Sequence, residues 1–163
     1  LNFQAEYNSV RPYSYQGQDS AIGYYHYNQS LGHPMGANFN EFLVMLNYQY
    51  KRVYASYKMS YIQTAADSSI YQNFGNNITD IGSQATTSTN VKIQNGFAYN
   101  VMDHDIRVGF ILNPKINMVV EGKLQFRKYT SKSLGTQGLK SNSFMVSFAT
   151  NIFNRYYDVP ILF

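Results

Sequence analysis

The sequence predicts an all-β fold: an antiparallel up-and-down transmembrane β-barrel, of which six strands lie in this chain as part of a larger barrel. Three observations lead there. Apolar and polar residues alternate with a two-residue period over runs of about ten residues, the length that crosses a tilted bilayer path, whereas strands of soluble domains average roughly five or six. Charge keeps to one of the two alternating sets. Connections alternate between short and long, as periplasmic turns and extracellular loops do in outer-membrane barrels.

The first strand is read from Leu1, Phe3, Ala5 and Tyr7 alternating with Asn2, Gln4, Glu6 and Asn8. The pattern is already running at Leu1, with no initiator Met and no signal-peptide segment, so the expectation is a mature or truncated segment with further strands upstream. From 11 to 37, Gly, Ser and Gln interleaved with Tyr give turn chemistry and predict a long loop. Alternation resumes at Asn38: Phe42, Val44, Leu46, Tyr48 and Tyr50 oppose Glu41, Leu43, Met45, Asn47 and Gln49. Lys51-Arg52 is a two-residue turn, after which Val53, Ala55, Tyr57, Met59 and Tyr61 oppose Tyr54, Ser56, Lys58 and Ser60. A second long polar stretch, 64 to 103, is expected to be a loop.

The next hairpin has the clearest pattern. Ile106, Val108, Phe110 and Leu112 share one parity; after a turn at Asn113-Pro-Lys115, so do Ile116, Met118, Val120, Gly122, Leu124 and Phe126, against Asn117, Glu121, Lys123, Gln125 and Arg127, interrupted only by Val119. A Ser/Gly/Lys loop over 130 to 140 leads to the last strand, Phe144, Val146, Phe148, Thr150 and Ile152 against Ser143, Met145, Ser147, Ala149 and Asn151. Loops 11–37, 64–103 and 130–140 then lie on the extracellular side, and the short turns in the periplasm.

Composition narrows the class. Sixteen Tyr and eleven Phe stand beside no Trp, no Cys and only 13% charged residues, where a soluble β-domain usually carries charge near a quarter. Lack of Cys excludes disulfides, thiolate metal sites and cysteine nucleophiles. Lys and Arg are scattered and the net charge is only +4, which gives no nucleic-acid surface. The apolar-parity positions named above hold no Lys, Arg, Asp or Glu, whereas the opposite parity holds Glu6, Glu41, Lys58, Asp105, Arg107, Glu121, Lys123 and Arg127. A cationic side chain facing lipid at the midplane costs about 2–4 kcal/mol, so these eight are assigned to a polar lumen. Tyr7, Tyr48, Tyr50, Tyr61 and Tyr129 fall near strand ends, where an amphipathic ring suits the headgroup region. The competing fold, a soluble β-sandwich, requires neither ten-residue strands nor aromatic girdles. Bacterial barrels start at about eight strands, so six need the remainder of the barrel or another membrane-protein chain.

Site chemistry is sparse. Asp103-His104-Asp105 is read as the solvated start of a strand near the outer rim, because neighbours in a strand point to opposite faces and form no dyad. His26 and His33 have no regular metal-ligand spacing around them. No catalytic residue, metal or cofactor is assigned. Tyr13, Tyr15, Tyr24, Tyr25, His26, Tyr27 and His33 form the candidate ligand or partner loop, with two readings open: a self-packed cover over the barrel mouth, or flat rings presented to a polysaccharide or protein. Asp19-Ser20-Ala21 resembles a short bacterial O-glycosylation motif at Ser20; Asn28-Gln-Ser30 and Asn77-Ile-Thr79 match the N-glycosylation pattern, which a bacterial barrel does not use.

Three stretches carry a family resemblance: Tyr7-Asn-Ser-Val-Arg-Pro-Tyr-Ser-Tyr, then Tyr24-Tyr-His-Tyr-Asn-Gln-Ser-Leu-Gly-His-Pro-Met-Gly-Ala-Asn-Phe, and the ending Asn151-Ile-Phe-Asn-Arg-Tyr-Tyr-Asp158. Together they resemble the C-terminal part of the RemB-type gliding-motility outer-membrane proteins of Bacteroidota, relatives of the Wzi-type capsule-assembly barrels. The resemblance spans nearly the whole chain but only the last part of a family member. It implies a bacterial outer-membrane location and a surface role in motility, adhesion or polysaccharide assembly, with polysaccharide or motility and secretion machinery as partners. The tail Val159-Pro-Ile-Leu-Phe163 departs from the family, although a terminal Phe is common in bacterial outer-membrane barrels. A solute-conducting pore with a polar lumen is the alternative function.

Overall fold

The computed structural model describes residues 1–17, 23–27, 29–67, 73–77, 92–94, 96–131 and 138–150. It is all-β. Six long strands, β1 (Asn2–Val10), β4 (Phe39–Tyr50), β5 (Val53–Ala66), β6 (Phe97–Asn113), β7 (Met118–Ser131) and β8 (Leu139–Ala149), form one sheet, and the short β2 (Tyr25–His26) and β3 (Gln29–Ser30) pair separately inside the first loop. Every neighbour in the order β1-β4-β5-β6-β7-β8 is antiparallel, so the large sheet is an up-and-down meander. Among the described residues β1 and β8 pair on one side only, and the sheet is open rather than a closed barrel.

The two tight turns are set by local chemistry. Lys51 takes a left-handed φ of 53°, as the first central residue of a two-residue hairpin commonly does, and its ammonium lies 5.2 Å from the Tyr50 ring centroid. Between β6 and β7 the turn is a 3-10 helix, Pro114–Ile116, with the Asn113 side chain accepting from Lys115 N–H and Asn117 closing it at φ 48°. Asn tolerates that left-handed conformation, which is why β7 starts at Met118 rather than at the expected Ile116. Pairing shifts between Ile111 and Asn113, leaving Leu112 as a bulge at the strand end.

The strands are longer than the alternation suggests. β5 continues through Thr64, Ala65 and Ala66, and β6 begins at Phe97, so the expected loop 64–103 is shorter at both ends. Likewise β7 reaches Ser131 and β8 starts at Leu139, which narrows the loop expected over 130–140. Once two strands are paired, each further pair satisfies backbone N–H and C=O groups, and alternation is not required where both faces meet similar surroundings. Asp103-His104-Asp105 accordingly lies well inside β6, not at a strand start.

The best-buried residues are not in the middle of the sheet. Ala37, Asn38, Phe39, Thr64 and Ala65 are at most 1% exposed and cluster where β4 and β5 meet the loops. Thr64 Oγ1 donates to Asn38 C=O (3.0 Å), Asn38 Oδ1 accepts from Gln94 N–H (2.9 Å), and the Asn76 amide donates to Thr64 Oγ1 (3.2 Å). Tyr13 N–H donates to Gly75 C=O (3.1 Å), and the Gln16 and Asn73 amides pair reciprocally at 3.0 Å, tying the first loop to the second.

Candidate functional site

Register places all apolar sets on one face. Reading across the sheet, Phe3, Leu46, Tyr57, Ile106, Leu124 and Phe144 form one row, and Tyr48, Ala55, Val108, Gly122 and Val146 form the next toward the short turns. Phe3, Phe42, Leu46, Val108, Phe110, Val120, Leu124, Phe126, Phe144, Val146 and Phe148 are all exposed. The longer strands bring two charges onto this face, Lys128 and Lys140, which correct the expectation of a charge-free apolar set.

The opposite, polar face is concave: Glu6 and Asn8 of β1, Glu41 of β4, Lys58 and Ser60 of β5, Tyr99 and Asp103 of β6 and Arg127 of β7 line one hollow of about 670 Å³. All eight residues assigned to a lumen lie on this face. On β6 and β7 they form a ladder of adjacent, separately bonded rungs. Asp105, 7% exposed, accepts from Arg107 Nε (2.8 Å) and faces Lys123 Nζ (2.8 Å). One residue pair further toward the loops, Asp103 accepts from Arg127 Nε (3.0 Å) and Gln125 Nε2 (2.9 Å). Glu121 accepts from the Tyr54 hydroxyl (2.8 Å). Lys58 lies cross-strand from Asp105 and forms no ion pair among the described residues. On the other side of the hollow, Asn8 donates to Glu41 (3.2 Å), and Gln4 donates to Glu6.

Tyr54 and Asp103 were not among the residues assigned to the lumen, though a signal for each was present. Asp103 shares the parity of Asp105. Gly109 sits in the interior of β6, where a glycine often marks close approach by a neighbour. The neighbour is Tyr54, its cross-strand partner, whose ring occupies the space a Cβ on Gly109 would fill and thereby reaches Glu121 on the strand beyond. Tyr129 differs from expectation. It has the polar parity and its ring lies against that of Tyr99, tilted by 30° with 5.0 Å between centroids, so it belongs to the hollow's rim and not to a headgroup girdle.

The candidate loop divides in two. Tyr13, Tyr15, Tyr25 and His33 are half-buried. Tyr13 O–H donates to Asn73 C=O (2.8 Å), and the Tyr15 hydroxyl accepts from His33 N–H (3.2 Å). Residues 33–35 fold over the polar hollow, where His33 Nε2 meets Glu41 Oε2 at 3.0 Å and the ring packs on Phe39 (4.5 Å). Because His33 Nδ1 accepts from Met35 N–H (3.2 Å), Nε2 carries the hydrogen that Glu41 accepts. By contrast Tyr24, His26 and Tyr27 are exposed at the β2–β3 hairpin, Tyr27 by 87%, with the His26 and Tyr27 rings edge to face at 4.3 Å.

His104 points to the apolar face, its Nδ1 2.8 Å from the Tyr57 hydroxyl, while Asp103 and Asp105 point to the polar one, so the three do not converge. Among the described residues no group of three His, Asp or Glu is arranged to hold a metal ion. Ser20, Asn28 and Thr79 lie outside the described residues. Comparisons with protein-family models, curated proteins and solved structures find no match.

Proposed function

We propose that this chain forms part of the wall of a bacterial outer-membrane β-barrel, a non-enzymatic protein acting at the cell surface in gliding motility, adhesion or polysaccharide assembly. The observation that carries the reading is the bare apolar face: six strands hold their apolar sets in register with no described residue packed over them, and large apolar side chains stand exposed on every one of the six, from Phe3 on β1 to Phe148 on β8. Lipid is the cover that such a face takes. The limit of the apolar band supports this. It falls after Phe42, Tyr61 and Met102 in one row, but one row earlier on β7, at Phe126, and two rows earlier on β8, at Phe144. Strands tilted by roughly 35–45° make a membrane boundary cross the rows obliquely in this way.

Beyond the band come Ser9, Asn40, Gln63, Asn100 and Thr130, a polar row that projects above the bilayer and carries the packed loops. There the rings of Tyr24, His26 and Tyr27 face outward, suited to a glycan or protein partner. In hydrocarbon every unmet backbone group costs several kcal/mol, so β1 and β8 pair with further strands of the same barrel or of another chain. The folding of residues 33–35 over the polar hollow favours a binding scaffold over an open solute pore. Labelling tests the topology: in intact cells a membrane-impermeant maleimide should modify Tyr27→Cys and reach Arg52→Cys only after permeabilisation. The reverse pattern overturns the assignment.

A further inference from the structure

Lys128 and Lys140 are the only Lys, Arg, Asp or Glu residues of the apolar set in the described strands, and they face each other directly across β7 and β8. Side chains so paired stand about 4.5–5.5 Å apart at Cβ, and like charges in that position repel. Neither forms an ion pair among the described residues. Beside them is a second hollow, about 230 Å³, lined on this face by Met102, His104, Phe126 and Asn142. Met102 and Phe126 provide an apolar floor; the Asn142 amide and His104, whose Nδ1 is engaged by Tyr57, provide polar groups next to the ammonium pair. The site sits at the loop-side limit of the apolar band, the depth at which a lipid's headgroup meets its chains.

We infer that this hollow binds the net-anionic, phosphate-bearing headgroup of an outer-leaflet lipid, one with no cationic group of its own to offset the phosphate, with Lys128 and Lys140 clamping the phosphate and Met102 and Phe126 receiving the upper part of an acyl chain. A phosphate between the two ammonium groups converts their repulsion into two charge-assisted contacts. The site rests on the membrane reading, since it opens on the face assigned to lipid.

The test uses the complete protein in maltoside micelles containing lipid A or phosphatidylcholine, with native mass spectrometry reporting retained lipid. Lipid A should be retained and phosphatidylcholine lost. K128Q/K140Q should retain lipid A about thirtyfold less, from roughly fivefold per lysine charge near a charged membrane surface, and K128E/K140E less still. K51E/K115E, the same charge change at the opposite turns, should retain it like the wild type. K128Q/K140Q removes the charges without reversing them and keeps the comparison readable if the double reversal does not fold. Equal retention in the variants and the wild type overturns the site, as does equal retention of phosphatidylcholine. Release of lipid A by inorganic phosphate alone overturns the lipid assignment in favour of a plain anion site. Protease protection in vesicles, measured on the same samples, separates the two readings: a wild type that inserts without retaining lipid A overturns the site alone, and one that never inserts overturns both.

Discussion

The two faces of the large sheet are made by the same strands, yet they are held in opposite ways. On β6, Arg107 and Val108 are neighbours in sequence; Arg107 is bonded to a carboxylate 7% exposed, whereas Val108 is itself 52% exposed. The polar face gains from specific pairs, Asp105 with Arg107 and Lys123, Asp103 with Arg127, Tyr54 with Glu121. The apolar face has almost no partners among the described residues, the bond between Tyr57 and His104 being an exception. A water-soluble sheet buries its apolar side and leaves its polar side wet; here, among the described residues, the polar side is the one tied up by specific bonds and the apolar side the one left bare, the arrangement that the proposed membrane setting accounts for.

The sharpest way to break that comparison is a charge on the apolar face. Val108→Arg or Val120→Arg should weaken folding into lipid vesicles by about 2–4 kcal/mol in a urea titration, while Ser147→Arg, of polar parity on β8, should have a small effect. Equal penalties would mean that the apolar face is the core of a soluble assembly. Removing the carboxylate at the centre of the ladder comes next. Asp105→Ala leaves Arg107 and Lys123 facing each other and should cost about 1.5–3 kcal/mol in the same titration, the range for hydrogen bonds to charged groups. Gly109→Val places a side chain where the Tyr54 ring lies and should cost about 1–3 kcal/mol as overpacking. Tyr54→Phe keeps the ring and loses only the bond to Glu121, so about 0.5–1.5 kcal/mol is expected. If Tyr54→Phe matched Gly109→Val, the hydroxyl and not the ring would be what fills this row.

The strand centres were readable because each residue there faces one of two chemically distinct sides, and a two-residue period records that directly. The ends were not. Thr64, Ala65 and Ala66 continue a strand without alternating, and proximity to a strand end misplaces Tyr129, whose parity puts it beside Tyr99. The division of the aromatic loop, with Tyr13, Tyr15 and His33 tied inward and Tyr24, His26 and Tyr27 outward, has no counterpart in composition, since both halves have the same residue types.

By itself the sequence determined the all-β class, the antiparallel meander, the position of the tight turns and which parity is apolar, because these follow from the local backbone period and from turn residues a few positions apart. Only the tertiary structure decided that Gln16 meets Asn73, that Thr64 holds Asn38, that Tyr54 lies over Gly109 and that Lys128 faces Lys140. Those contacts join residues brought together by strand register and loop packing, and polar side chains such as Gln, Asn and Lys have many partners of comparable energy. Which partner is taken is settled by the geometry of the whole sheet.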